Sequence, residues 1–245
     1  MEKLTPKAVI FDLGSTIIEY PSSIWEEVSI ECVGHARQVL VDDGHDLPAA
    51  GQFYEAYTEI RDEYRRSAAD TLVEWNVLQV ARRLLKRAGV DPDEEMVGKF
   101  FDAYYLKVRP HIFAFEDARE VLRRIRDRYG TVGLISNTVF PESAHLSEME
   151  RFGLIEFFAF TVFSSTFGLR KPHRDIFYHA ANLAGFAPAE CVYIGDRYRE
   201  DVEGPNEVGM PSILKWHDNR EYPQPLPEGT RVIETLTDLS GHFEF

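Results

Sequence analysis

The chain has 245 residues, 44% apolar and 13% aromatic, which is enough for an α/β core with a smaller module and too apolar for disorder. A formal charge of −14 excludes the basic footprint that nucleic-acid phosphates need, and no apolar run approaches the roughly 20 residues that cross a bilayer. An anionic ligand must therefore be captured by local cations or by a metal ion.

The first residues, "MEKLTPK", have no apolar stretch behind their lysines, so no secretory signal is expected. The next run, "AVIF" (Ala8–Phe11), is continuously apolar, as in a parallel strand buried on both faces. It runs straight into Asp12, with Gly14 two residues on. From about Ser22 to Arg109 the pattern turns helical. "SIWEEVSIECVGHARQVLV", "AGQFYEAYTEIRDEYRRSA", "LVEWNVLQVARRLLKRAG" and "DEEMVGKFFDAYYLKV" read as successive amphipathic helices, with "DDGHDLP" and "GVDPDE" as turns. No strand-like run lies among them. The expected organisation is an α/β core over 1–20 and 110–245, with an all-helical cap domain over 21–109 inserted after the first strand. The sheet is expected to resume near Phe113.

Beyond it, "EDAREVLRRIRDRYG" has Ala118, Val121, Leu122 and Ile125 at helical spacing and Gly130 as a stop. Strand-like runs follow at Thr131–Ser136, Phe158–Phe163, Cys191–Gly195 and Pro211–Trp216, with the helix "HRDIFYHAANLAG" among them and a last short strand, "RVIET", after the proline-rich "EYPQPLPEG". Strand and helix alternating with short loops predict a Rossmann-like doubly wound parallel sheet, whose site lies at the carboxyl ends of the strands. Cys32 and Cys191, the two cysteines, make neither a disulfide framework nor a zinc site, which fits a reducing cytoplasm.

Four features stand at predicted strand ends. Asp12 follows "VIF", Ser136 and Asn137 follow "VGLI", Lys171 stands in "GLRKPHRDIF", and Asp196 follows "VYI" in "IGDRYREDVEG", with Asp201 beyond it. Singly, each has a bland reading as a helix cap, a turn or a helix start. Together they equip one sheet edge for phosphoryl transfer through an aspartyl-phosphate. Ser136 and Lys171 would supply donors and charge to the phosphoryl oxygens. Mg2+ held by Asp12 and Asp196 would remove the repulsion between carboxylate and phosphate, and Lys171 would keep Asp12 ionised.

In order and spacing these segments resemble the four motifs of the haloacid dehalogenase-like hydrolase superfamily. "SSTFGLRKPHRDIF" and "IGDRYREDVEGPNEVGMPSI" are close to that family's wording around its third and fourth motifs. The resemblance covers nearly the whole chain, including the inserted helical cap. It implies a Mg-dependent phosphatase acting on a small phosphorylated metabolite. Asp12 is then the nucleophile, Thr16 a supporting residue of the first motif on the phosphate side, Ser136 and Asn137 phosphate-binding, and Lys171 stabilising. Asp12, the Gly14 carbonyl, Asp196 and Asp201 form the implied metal set.

Gly14 departs from the pattern. Phosphatases of the family usually carry a second aspartate there, which protonates the leaving alkoxide and then activates water. General acid–base help of that kind is typically worth about 10²–10⁴-fold. Four readings follow: a phosphatase that uses good leaving groups or borrows an acid, with Glu19 and Tyr20 nearest; a 2-haloacid dehalogenase; a phosphonate hydrolase using a cap lysine such as Lys86, Lys99 or Lys107; and a catalytically impaired binding protein. The intact "GDRYRED" argues against the dehalogenase, and retention of the motif residues against the pure binder. Arg65 and the other cap arginines, Trp25 and His173 read first as solvated helix faces, cap packing and a helix start.

Overall fold

The computed structural model describes residues 2–20 and 24–245. Residues 21–23, where the helical insertion is expected to begin, lie outside the described residues. The elements run β1 (Ala8–Phe11), β2 (Ile18–Glu19), α1 (Trp25–Asp42), α2 (Ala50–Thr71), α3 (Val77–Arg87), α4 (Glu94–Val108), β3 (Phe113–Ala114), α5 (Ala118–Tyr129) and β4 (Thr131–Ser136). Then come α6 (Glu142–Arg151), β5 (Phe160–Phe163), α7 (Ser164–Phe167), α8 (Arg174–Ala184), β6 (Cys191–Gly195), α9 (Gly204–Glu207), β7 (Ser212–Lys215) and β8 (Val232–Ile233).

Six strands form one sheet in the order β5-β4-β1-β6-β7-β8, and all the pairings are parallel. The chain builds outward from β1 to β4 and β5 on one side, then crosses to β6, β7 and β8 on the other. The carboxyl end of β1 is therefore the switch point, where a doubly wound sheet leaves a crevice. Alternate residues of β1 feed two layers, as the pleat requires. Val9 and Phe11 join Val121, Leu122 and Ile125 of α5 in one cluster. Ala8 and Ile10 join Ile176, Phe177 and Ala180 of α8 in the other. The doubly wound parallel sheet predicted from the alternation is present.

Three details differ from the sequence reading. The segment near Phe113 does not rejoin the central sheet; β3 pairs antiparallel with β2 in a separate two-stranded ribbon, Ile18 opposite Ala114 and Glu19 opposite Phe113. Phe113 is exposed, so the segment where the sheet was expected to resume forms a surface ribbon instead. The third helix starts at Val77 rather than Leu72, because Asn76 and Gln79 form a reciprocal capping box. The strands expected over Phe158–Phe163 and Pro211–Trp216 shorten to Phe160–Phe163 and Ser212–Lys215.

The four helices α1 to α4 pack on one another, with Cys32, Tyr57, Leu84, Phe100 and Tyr104 among their buried residues. Exposed ion pairs such as Arg83–Glu63 and Arg87–Glu59 decorate their faces. No helix among the described residues is long and apolar enough to cross a membrane.

Candidate active site

The loops at the carboxyl edge converge. Asp12 follows β1, Ser136 ends β4, Lys171 lies between α7 and α8, and Asp196 follows β6. Asp201 sits in a wide π-type turn, Tyr198–Glu203. Gly195 makes its approach possible: a β-carbon there would fall 2.4 Å from Asp201 Cγ. The motif "IGD" therefore needs glycine because the Asp201 carboxylate lies against the end of the strand.

The Lys171 ammonium is the hub. Its Nζ donates to Asp12 Oδ1 at 2.8 Å, to Asp201 Oδ1 at 2.6 Å and to the Tyr193 hydroxyl at 2.7 Å. An ammonium has three protons, so all its donors are engaged. Lys171 therefore acts on an incoming anion by charge, and direct contact requires one of these bonds to be exchanged. Tyr193 passes its own proton to the Ile135 carbonyl at 3.1 Å. Burial works against the Lys171 charge, yet the Asp12 and Asp201 carboxylates outweigh it and hold the ammonium above its ordinary range.

Asp12 and Asp196 are both nearly sealed from solvent. Burial pushes the Asp12 carboxyl up to about 7 against the pull of Lys171, with Asp201 and Asp196 repelling it further. Burial likewise raises Asp196, again with Asp201 adding repulsion. Asp12, Asp196 and Asp201 each offer an oxygen, and these lie within 4.8 Å of one another. Asp196 Oδ1 is buried without a hydrogen-bond partner among the described residues. Crowded buried carboxylates with an orphaned acceptor suit a hard, oxygen-seeking cation, so the residues present fit a divalent metal.

The remaining sequence candidates take separate places. Ser136 lines the cavity over Asp12, and its hydroxyl has no hydrogen-bond partner among the described residues. Asn137 also lines it, but its side chain is spent on the backbone of Lys171. It receives the Lys171 N–H at 2.8 Å and donates to the Lys171 carbonyl at 2.9 Å. That holds the lysine rather than touching an anion. Thr16 is fully buried and does not line the cavity; its hydroxyl has no partner among the described residues. Gly14 lies on the cavity wall, next to Ser15, whose φ of 58° is the left-handed backbone that functional loops tolerate.

Several residues at the site carry no motif signal. Arg220, in the loop after β7, donates through Nε to Asp196 Oδ2 at 2.5 Å and through a terminal nitrogen to Ser15 Oγ at 3.1 Å. Lys215, buried, donates to the Ser15 carbonyl at 3.2 Å and lies over the Phe115 ring. Tyr222 donates to the Asp196 carbonyl at 3.0 Å. Lys215 ends β7 inside a run read only as an apolar strand, and Arg220 and Tyr222 lie in the loop beyond it, which has no periodicity. From the helical segment, Trp25, Arg65 and Glu74 reach the cavity, whose volume is about 400 Å³. Arg65 is thus more than a solvated helix residue. His173 is a helix start, its ring accepting from the Asp175 N–H at 3.3 Å. The three lysines weighed for a Schiff base do not line the cavity: Lys99 pairs with Asp43, Lys107 pairs with Glu31 at 3.0 Å, and Lys86 is exposed.

Comparison with known proteins places this geometry. A protein-family model described as haloacid dehalogenase-like hydrolase matches residues 6–209. The glyceraldehyde 3-phosphate phosphatase of Methanopyrus kandleri is 27% identical over 207 residues, 84% of this chain and 82% of that protein. The phosphoglycolate phosphatase of Escherichia coli is 26% identical over 247 residues, covering 95% of this chain and 90% of that one. Among solved structures, a 2-haloacid dehalogenase from Pseudomonas syringae superposes with a TM-score of 0.68 at 21% identity, over 96% of this chain and 97% of that one. A phosphatase from Thermococcus onnurineus gives 0.64 at 22% identity, over 96% of each chain. At those identities the structural likenesses speak for the fold alone.

Proposed function

We propose that this chain, which belongs to the haloacid dehalogenase-like hydrolase family, is a magnesium-dependent phosphatase. It would cleave a small phosphorylated metabolite through an aspartyl-phosphate on Asp12. The observation that carries this reading is Lys171 bridging Asp12 and Asp201 at 2.8 and 2.6 Å inside a buried acid cluster. A dehalogenase has no need for the full acidic set, whereas a phosphate ester brings charge that the set and its cations must manage.

The chemistry follows from the residues. Asp12 presents one carboxylate oxygen to the phosphorus while Lys171 holds the other, so the nucleophile is fixed in orientation. The unpartnered Ser136 hydroxyl is free to donate to a phosphoryl oxygen. Asn137, clamped on the Lys171 backbone, keeps the ammonium over Asp12. Asp12, Asp196, Asp201 and the Gly14 carbonyl would hold Mg2+, which when bound neutralises the repulsion between the acid cluster and the phosphoryl group.

The helices α1 to α4 would act as the cap domain of residues 21–109 over the 1–20 and 110–245 core, since they bring Trp25, Arg65 and Glu74 to the cavity. Arg65, Arg170 and Arg197 line the same space, which suits an anionic metabolite despite the net charge of −14. The names of the relatives, phosphatases of small phosphorylated sugars and acids, support that substrate class. Cys32 and Cys191 are both free and buried, which supports a cytoplasmic location.

The test is phosphate release from acetyl phosphate and p-nitrophenyl phosphate, with and without Mg2+, by the wild-type protein and Asp12→Asn. Metal-dependent release that the substitution abolishes supports the reading. Release that survives Asp12→Asn, or no release from either substrate, overturns it.

A further inference from the structure

Gly14 has no side chain, so a leaving alkoxide must find its proton elsewhere. Glu19, the nearest acid in sequence, is committed. Its Oε1 accepts from Ser15 Oγ at 3.1 Å and the Tyr20 N–H at 2.9 Å, its Oε2 meets His217 Nε2 at 2.9 Å, and it does not line the cavity. Tyr20 does line it, together with Asp12, Gly14 and His145. A β-carbon built on Gly14 would lie 3.4 Å from Tyr20 Cδ2 and 3.6 Å from Cε2. The tyrosine ring therefore runs along the space that a side chain at residue 14 would enter.

The Tyr20 hydroxyl is 3.1 Å from His145 Nδ1, and His145 Nε2 is 2.5 Å from Thr138 Oγ1. Donor accounting fixes a direction along this chain. Thr138 Oγ1 already accepts the Phe140 N–H at 3.0 Å, and its own proton has no other acceptor among the described residues. We assign that proton to His145 Nε2. Burial pushes His145 down to about 4, so at neutral pH the ring carries one proton, which this assignment puts on Nδ1. Nδ1–H then donates to Tyr20 Oη, which leaves the tyrosine O–H without an acceptor among the described residues, on a side chain that lines the cavity.

We propose that Tyr20, held by His145 and Thr138, is the proton donor and acceptor of the reaction in place of a side chain at residue 14. The proposal rests on the phosphatase reading above. In the first half, a bond forms between Asp12 and phosphorus while the phosphorus–oxygen bond to the leaving group breaks. The departing oxygen keeps that electron pair and takes the Tyr20 proton. The resulting phenolate is stabilised by the His145 Nδ1–H. In the second half, water attacks the phosphorus of aspartyl-phosphate, gives one proton to the phenolate, and releases phosphate and the Asp12 carboxylate. The balance closes without an outside proton carrier. Tyr20 is then a catalytic residue, and His145 and Thr138 are positioning residues.

The test compares kcat/KM, which reports the phosphoryl-transfer half, for glycerol phosphate and acetyl phosphate. The first leaving group needs a proton and the second does not. Tyr20→Phe is expected to lower the glycerol phosphate value about 100-fold, within the usual range for a lost general acid, and the acetyl phosphate value less than about threefold. His145→Gln should move the same ratio in the same direction by about tenfold, a selective change that loss of structure alone would not give. Adding Gly14→Asp to Tyr20→Phe should recover at least tenfold on glycerol phosphate. Equal losses on both substrates, or no loss, overturn the role of Tyr20 while leaving the phosphatase intact. A wild-type protein that cleaves neither substrate overturns both.

Discussion

Arg220 places its guanidinium on Asp196, Nε to Oδ2 at 2.5 Å, so an arginine shares one carboxylate of the acid cluster. Asp196 is fully buried and Arg220 partly buried. Three carboxylates here face two cations, Lys171 and Arg220. Removing the arginine charge should favour a divalent cation. Arg220→Gln is expected to bind Mg2+ about tenfold more tightly, on the Coulomb scale of a partly screened pair. Titration calorimetry of both proteins checks this.

The same substitution should weaken the metal-free protein. Breaking one side of a buried pair costs about 3 kcal/mol. The thermal midpoint of Arg220→Gln should fall without Mg2+ and recover with it, more than in the wild type. Differential scanning calorimetry at several Mg2+ concentrations measures the recovery.

Asn137 exchanges two hydrogen bonds with the Lys171 backbone, at 2.8 and 2.9 Å. Asn137→Ala removes both and leaves Lys171 free to drift from Asp12. The expected loss is about 1–3 kcal/mol of stability, with a fall of about tenfold or more in kcat. Urea unfolding and steady-state kinetics on one preparation separate the two effects.

His145 gives the fold an acid-sensitive point. Its folded-state pKa is pushed from 6.5 to about 4 by burial. The unfolded chain therefore binds the proton first. The contribution is fully present above about pH 6.5 and is lost as the pH falls from there toward 4, for a total of about 3 kcal/mol. Denaturant unfolding from pH 7 to pH 4 should show this slope, and His145→Gln should flatten it by that amount.

Gly195 lets the Asp201 carboxylate lie against the end of β6, where a β-carbon would fall 2.4 Å from Asp201 Cγ. Gly195→Ala should push Asp201 from Lys171 and destabilise the fold by about 1–3 kcal/mol through overpacking. The Mg2+ affinity should fall with it.

The sequence exposed the fold where chemistry and pattern coincided. Ala8–Phe11, Thr131–Ser136 and Cys191–Gly195 are mainly apolar runs because both faces of the sheet are covered, and each ends on or is followed by a polar residue, Asp12, Ser136 or Asp196. The ribbon of β2 and β3 was not legible, because a two-residue strand has no period and its partner lies far along the chain. The helix α6, Glu142–Arg151, also escaped. Its buried face mixes Ala144 and Met149 with His145 and Glu148, the latter paired with Arg109 at 3.0 Å and with Arg151, which breaks the apolar period.

The site divides in the same way. Asp12, Ser136, Lys171 and Asp196 were readable because each stands at a strand end or just ahead of a helix, and Asp201 because it follows Asp196 in the same acidic segment. Arg220, Lys215 and His145 were not, because their roles depend on which loop, strand end and helix the fold brings to the edge. Gly14 stood out as a gap, but what lies beside it, the Tyr20 ring, needed coordinates.

The central claim is that Asp12 carries the phosphoryl group between substrate and water. Acid-quenched turnover of acetyl phosphate, followed by peptide mass analysis, tests it most directly. One added phosphoryl mass is expected on the peptide that holds Asp12, present in wild type and absent in Asp12→Asn. Turnover with no such adduct in any quench, or an adduct on another residue, would contradict it.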